Sequence, residues 1–215
     1  EIFSTLAVPK VYVARRPTAL RVETRRGPLQ IVALPWVTRS QFLAADELKG
    51  KSLDEVNQAI SDQITRFVQN RAADTDKDIP TVLAAHIGVV GAHGGSERAK
   101  VLGRDVAVPR SLLADPVFDY VAIGHVHCRQ VLQACDPPII YSGSIERVDF
   151  SEEHEQKGFV VVEIERGRAP VYELVDVPAR RFLTIEAEVG GEDPLEEAKR
   201  VIDRHWVEGA VVRLR

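Results

Sequence analysis

The chain has 215 residues, 45% of them hydrophobic and 28% charged, with a formal net charge of −4. That much apolar material fits one domain plus part of another, and it excludes a solvated tail. No run approaches the ~20 apolar residues of a membrane span and no signal peptide opens the chain, so no membrane partner is expected. The acidic balance excludes gripping nucleic acid by bulk charge alone.

Along the chain the first 40 residues are basic. Lys10, Arg15, Arg16, Arg21, Arg25, Arg26 and Arg39 read equally well as a phosphate-contacting face or as solvated strand surface. Strands are expected at Val11 to Ala14, Ala19 to Glu23 and Gln30 to Leu34, with Arg26-Gly27-Pro28 as the turn between the last two. A helix follows, with Ser52 as N-cap, Glu55 at the capping-box position, and Val56, Ala59, Ile60, Ile64, Phe67 and Val68 as one apolar stripe. The acidic connector Asp74 to Asp78 lacks the Gly and bidentate Glu of a calcium loop and reads as solvated.

Further strands are expected at Thr81 to Ala85, Tyr120 to Ile123, Ile139 to Tyr141, Phe159 to Ile164 and Val171 to Val175. The apolar Val160-Val161-Val162 suggests a central strand. After Pro178-Ala-Arg-Arg181 the pattern restarts as strand, helix and strand, the helix capped by Asp193 with Pro194 at its first position. Cys128 and Cys135 are too few for a disulfide framework and read as reduced structural thiols, in keeping with a cytoplasmic location.

Two apolar runs end in histidine. Pro80 to Ala85 runs into His86, and Asp119-Tyr-Val-Ala-Ile-Gly124 into His125-Val-His127. Ligands in α/β proteins gather at the carboxyl ends of strands. On an extended backbone His125 and His127 would face the same way, with Gly124 leaving room for close approach. Imidazole is the commonest neutral ligand of transition metals, so the cluster suggests a metal site. His93, in a Gly-rich stretch, reads as a loop histidine.

Ala85-His86-Ile-Gly-Val-Val-Gly-Ala92, Ser96-Glu-Arg98, Asp119 to His127, Tyr141-Ser-Gly-Ser-Ile-Glu-Arg-Val-Asp-Phe150 and Lys157-Gly-Phe159 resemble the SbcD family of DNA repair exonucleases. That family lies within the calcineurin-like metallophosphoesterases and is the bacterial relative of the meiotic recombination nuclease. The Gly-His-x-His element is shared across the superfamily; the Tyr-Ser-Gly-Ser-Ile-Glu-Arg block is more specific to the nuclease branch.

The resemblance implies an α/β fold: a metallophosphoesterase-type β-sandwich flanked by helices over residues 1–180, present in part, and the start of a small α/β accessory (capping) domain over 181–215. It implies hydrolysis of DNA phosphodiesters with two Mn²⁺ ions, in double-strand-break repair beside an SbcC-type ATPase. His86 and His125 match the ligands of one metal, and His127 a ligand of the other. Ser144 and Arg147 are candidates for orienting the loop or contacting a phosphate. The family's Asp-x-His, Gly-Asp-x-x-Asp and Gly-Asn-His-Asp blocks do not occur ahead of the matched part, and the chain opens at Glu1 without a methionine. It therefore reads as a fragment with an incomplete site. The bridging carboxylate, the general-acid histidine and most of the homodimer helices are expected upstream. At most one ion should bind weakly, and the fragment should be inactive. The alternatives are another metallophosphoesterase, such as a phosphodiesterase or phosphatase, or a non-catalytic scaffold module.

Overall fold

The computed structural model describes residues 8–37, 50–93 and 106–215. Arg39 and the Ser96-Glu-Arg98 triplet lie outside the described residues. The hairpin of β1 (Thr18–Thr24) and β2 (Gly27–Leu34) turns at Arg25-Arg26 and pairs antiparallel from Thr18↔Ala33 to Thr24↔Gly27. Val11 to Ala14, expected as a strand, is not one: Val11, Tyr12 and Val13 are exposed and pair with nothing in the sheets.

Helix α1 (Leu53–Ala73) starts as its sequence dictates. The Ser52 side chain accepts from Glu55 N, and the Glu55 carboxylate accepts from Ser52 N at 2.7 Å, so two orphan donors of the first turn are satisfied reciprocally. Val56, Ile60, Ile64, Val68 and Ala72 recur every four residues and are buried. They form one core with Val32 and Leu34 of β2, placing the helix on one face of the sheet.

Four parallel strands form the middle of that sheet: β2, β3 (Thr81–His86), β6 (Tyr120–Gly124) and β8 (Ile139–Tyr141). Between β3 and β6 lie the short parallel pair β4 (Gly88–Val89) and β5 (Ala107–Val108), then α2 (Arg110–Leu113). With β7 (Gln130–Gln133) antiparallel to β8, the order is β1-β2-β3-β6-β8-β7 and both edges are antiparallel. Leu83, Val121, Ile139 and Ile140 are fully buried, as strands near the centre of an α/β sheet must be.

The amino ends of β3 and β6 are locked by Asp119. Its carboxylate accepts from Thr81 N at 2.7 Å and from Arg166 Nη1 at 3.0 Å. Arg166 comes from the turn between β9 (Gly158–Glu163) and β10 (Val171–Asp176), an antiparallel ladder of two strands only. The expected central strand is thus corrected. Phe159 and Val161 point outward at 42% and 46% exposure while Val160 and Val162 are half-buried, the alternation of a strand covered on one side.

The tail forms a β-α-β element: β11 (Phe182–Ile185), α3 (Pro194–Ile202) and β12 (Val211–Leu214), with β11 and β12 parallel. Asp193 caps α3 through Glu196 N, with Pro194 in the first turn. The element is tied to the single helical turn at Phe150–Glu152. Phe182 packs on Phe150 with ring centroids 4.9 Å apart, the Arg213 guanidinium lies over the same ring, and Glu153 accepts from Thr184 N at 3.0 Å. Among the described residues no helix is long and apolar enough to cross a membrane.

Candidate functional site

Because β2, β3, β6 and β8 run parallel, their carboxyl ends lie along one edge, and the chain puts a distinctive residue after each. Trp36 follows β2, His86 closes β3, His125 and His127 follow β6, and Ser142-Gly143-Ser144 follows β8. The His86 and His125 rings come together with centroids 5.5 Å apart. Trp36 stands against both, edge-on to His86 at 5.6 Å and tilted over His125 at 4.6 Å. Beside them a cavity of about 370 Å³ is lined by Pro35, His86, Gly124 and Ser142.

Gly124 serves as its sequence position suggests. A Cβ there would sit 3.1 Å from His86 Nδ1, so a side chain would press on the ring. The extended geometry expected beyond it is not what forms, however. β6 stops at Gly124, and His125 adopts a φ of +106°, a left-handed conformation that a residue with a Cβ rarely takes. The i, i+2 spacing therefore does not set two imidazoles on one face of a strand. The turn at His125 sends its ring under Trp36, and His127 faces Glu152, with Nδ1 at 2.9 Å from Oε1. His127 remains near enough to act electrostatically on His86. Desolvation of the packed flank of His86, first, and the charges of His125 and His127, second, hold its imidazole below the ordinary histidine pKa, even though its outer edge reaches solvent.

The loop after β8 is bound to the histidine segment through its backbone. Ser144 N donates to His127 O at 3.1 Å. Gly143, at φ +76°, is packed so closely that a Cβ would lie 2.8 Å from His127 O and 2.9 Å from Arg129 N. Tyr141 donates its hydroxyl to Ile87 O at 2.6 Å, and burial pushes that phenol well above its usual pKa. Ser144 Oγ donates to Glu146 O and accepts from Lys157 Nζ. The Arg147 guanidinium donates to Glu152 O, Glu155 O, Arg180 O and Ala179 O at 2.7–3.5 Å. Both side chains are thus engaged in holding this loop, and Arg147 also fastens the segment leading into β11.

Sequence reading gives Glu152 no role and names Lys157 only within the Lys157-Gly-Phe159 element. Glu152 is 0% exposed, and its Oε2 lies 2.7 Å from Lys157 Nζ, itself buried; Lys157 also donates to Glu155 at 2.8 Å. Burial pushes the Glu152 pKa up, but hydrogen bonds from Lys157, His127 and Val148 N outweigh it and the net direction is down. Burial likewise pulls Lys157 down, and its two carboxylate partners more than reverse this. The sequence signal was weak: one of four acids in Glu152-Glu153-His154-Glu155 and nearby Glu163, distinguished only by contacts far along the chain.

The other candidates are placed as follows. Cys128 packs half-buried against the core, and Cys135 is exposed. The backbone of His93 exchanges hydrogen bonds with the Gln130 side chain. Lys10, Arg15, Arg16, Arg21, Arg25 and Arg26 are all exposed. The one Asp-x-His spacing in the chain, Asp203-Arg204-His205, caps the end of α3, where His205 Nδ1 meets Val201 O at 2.9 Å. It forms a helix terminus.

As donor chemistry, neighbouring imidazoles with at least one favoured in its neutral form suit a borderline transition ion. In number they are short. Among the described residues no group of three or more His, Cys, Asp or Glu is arranged to hold a metal ion. No protein-family model matches the chain.

Proposed function

We propose that the chain is part of an SbcD-like, Mn²⁺-dependent DNA nuclease subunit, contributing His86, His125 and His127 to a two-metal site completed by residues outside these 215. The observation that carries this is the edge formed by four parallel strands, where His86 and His125 meet over a glycine and His127 is oriented by a buried carboxylate. The block Tyr141 to Phe150, which prompted the resemblance, supplies the loop hydrogen-bonded to His127. The six-stranded sheet would be one layer of a β-sandwich. Its face away from α1 carries the small residues Ala33, Ala84 and Ala122, which line the same cavity as His86 and suit close packing of a second layer.

When bound, the ions would supply Lewis acidity and an activated water for attack on a phosphodiester. The chain's own residues have narrower tasks. His86, His125 and His127 would hold metal through neutral nitrogens, Trp36 packs His125 in place, Ser144 ties the loop to His127 through its backbone N–H, and Arg147 fastens the loop to the carbonyls of Glu152, Glu155, Ala179 and Arg180. DNA, an SbcC-type ATPase and a second copy of the subunit would be the partners, in the cytoplasm. Another metallophosphoesterase or a scaffold module is disfavoured by the nuclease-type block and by the histidine edge respectively.

The test is a chain extended to include Asp-x-His and Gly-Asn-His-Asp blocks, assayed on linear DNA with Mn²⁺. His125→Ala and His127→Ala should each abolish cleavage while the circular dichroism spectrum is retained. Wild-type rates in either variant at saturating Mn²⁺ would end the proposal. The 215-residue chain alone should bind at most one Mn²⁺ and cut nothing.

A further inference from the structure

Glu152 and Lys157 are the charged residues found buried among the described residues. A buried ion pair is poor value as a source of stability, because an apolar pair of similar volume often does as well or better. Their contacts suggest what else they do. Glu152 divides its two oxygens: Oε1 faces His127 Nδ1 at 2.9 Å, and Oε2 takes Lys157 Nζ at 2.7 Å and Val148 N at 3.3 Å. An ionised carboxylate only accepts, so the His127 nitrogen facing it must carry the hydrogen. Lys157 meanwhile reaches the backbone of the same histidine, with Nζ 3.4 Å from His127 O and 3.0 Å from Ser144 Oγ. Ring and main chain of His127 are therefore held by one bracket whose members lie 25 and 30 residues further along.

We infer that Glu152, backed by Lys157, is the positioning residue for His127. In the neutral imidazole it fixes the Nδ1–H tautomer and leaves Nε2 as the nitrogen with a lone pair. A histidine that ligates metal commonly has its second nitrogen anchored in this way, and loss of the anchor weakens the ion's hold. The use of that lone pair for a cation rests on the proposed metal reading; the tautomer itself does not.

Two measurements on the 15N-labelled 215-residue chain separate them. Long-range 1H–15N spectra of the imidazoles, with His127 assigned by the signal lost in His127→Gln, should show the Nδ1–H form in the wild type. Glu152→Gln should keep it, since an amide oxygen still accepts. Glu152→Leu should move it towards the Nε2–H form. A wild-type ring in the Nε2–H form overturns the inference whether or not any variant folds, and so does a folded Glu152→Leu chain that keeps Nδ1–H. Titrated Mn²⁺, read as paramagnetic broadening of the His127 ring, should require about 10–100-fold more metal in Glu152→Leu. An Nδ1–H ring that Mn²⁺ never broadens, even in a chain extended to include the Asp-x-His and Gly-Asn-His-Asp blocks, leaves the positioning role standing and removes the metal reading. Broadening of a ring in the Nε2–H form does the reverse.

Discussion

Replacing Lys157 by Met keeps the length and most of the volume of the side chain and removes its charge. The ammonium has four acceptors, Glu152 Oε2, Glu155 Oε2, Ser144 Oγ and His127 O, at 2.7–3.4 Å. Without it Glu152, at 0% exposure, loses the ammonium 2.7 Å from its Oε2, while His127 and Val148 N remain among the partners of its charge. Breaking a buried pair from one side costs about 3–5 kcal/mol, because the remaining charge is stranded. For a chain of this size that is a fall in melting temperature of roughly 6–20 °C. The cost should also depend on pH. The Glu152 pKa is lowered in the folded protein, so its contribution is present above the ordinary carboxylate pKa of about 4.3 and is lost as pH falls through the folded value. In Lys157→Met the stranded carboxylate can escape by protonation, so the difference from wild type should shrink in acid. Urea unfolding at neutral pH and near pH 4.5 measures both effects. Glu152→Gln combined with Lys157→Met should recover a large part of the loss, as expected for residues that share one interaction. A loss below about 1 kcal/mol, or strict additivity of the two changes, would refute the claim that the pair is dry and mutually dependent.

The His86 imidazole should titrate below the ordinary histidine value of about 6.5 by NMR, and more normally in Trp36→Ala, where its packed flank is opened. By linkage its neutral form favours the fold above that value, so protonation in mild acid destabilises. Gly143→Ala combines a φ of +76° with a Cβ 2.8 Å from a carbonyl, and should cost about 2–4 kcal/mol in urea unfolding. Arg147→Met removes donors from four carbonyls, two of them just ahead of β11, and should raise hydrogen exchange across residues 182–214 more than in α1.

The parts of the fold legible in the sequence are those decided locally. Ser52 and Glu55 cap a helix because both partners lie within one turn, and the buried stripe of α1 follows from its period. Where pairing decides, composition misleads. Among the described residues Val11-Tyr-Val-Ala has strand propensity and no strand to join, and Val160-Val161-Val162 looks central but borders only β10. The site divides in the same way. Apolar runs ending in His86 and His125 announced an edge of histidines, and Gly124 announced a close approach. The direction of the rings after Gly124 depended on one backbone torsion, and the residue opposite His127 lay 25 positions away among ordinary surface acids.

The torsion at His125 and the buried pair at Glu152 point to the same edge. A non-glycine residue at φ +106° costs of order 1–3 kcal/mol and persists only where its surroundings over-determine it. Here they do: Trp36 lies over the ring, His86 beside it, and the loop after β8 is hydrogen-bonded to His127 two residues on. At the amino ends of the same strands Asp119, Thr81 and Arg166 satisfy one another around a structural carboxylate. Asp136, ahead of β8, and Lys10 also have positive φ, at 59° and 65°, and the His125 torsion of +106° is set apart by its place beside the buried Glu152–Lys157 pair at the carboxyl edge, where α/β sheets hold their ligands. Their coincidence at the histidines supports the proposed reading of this edge.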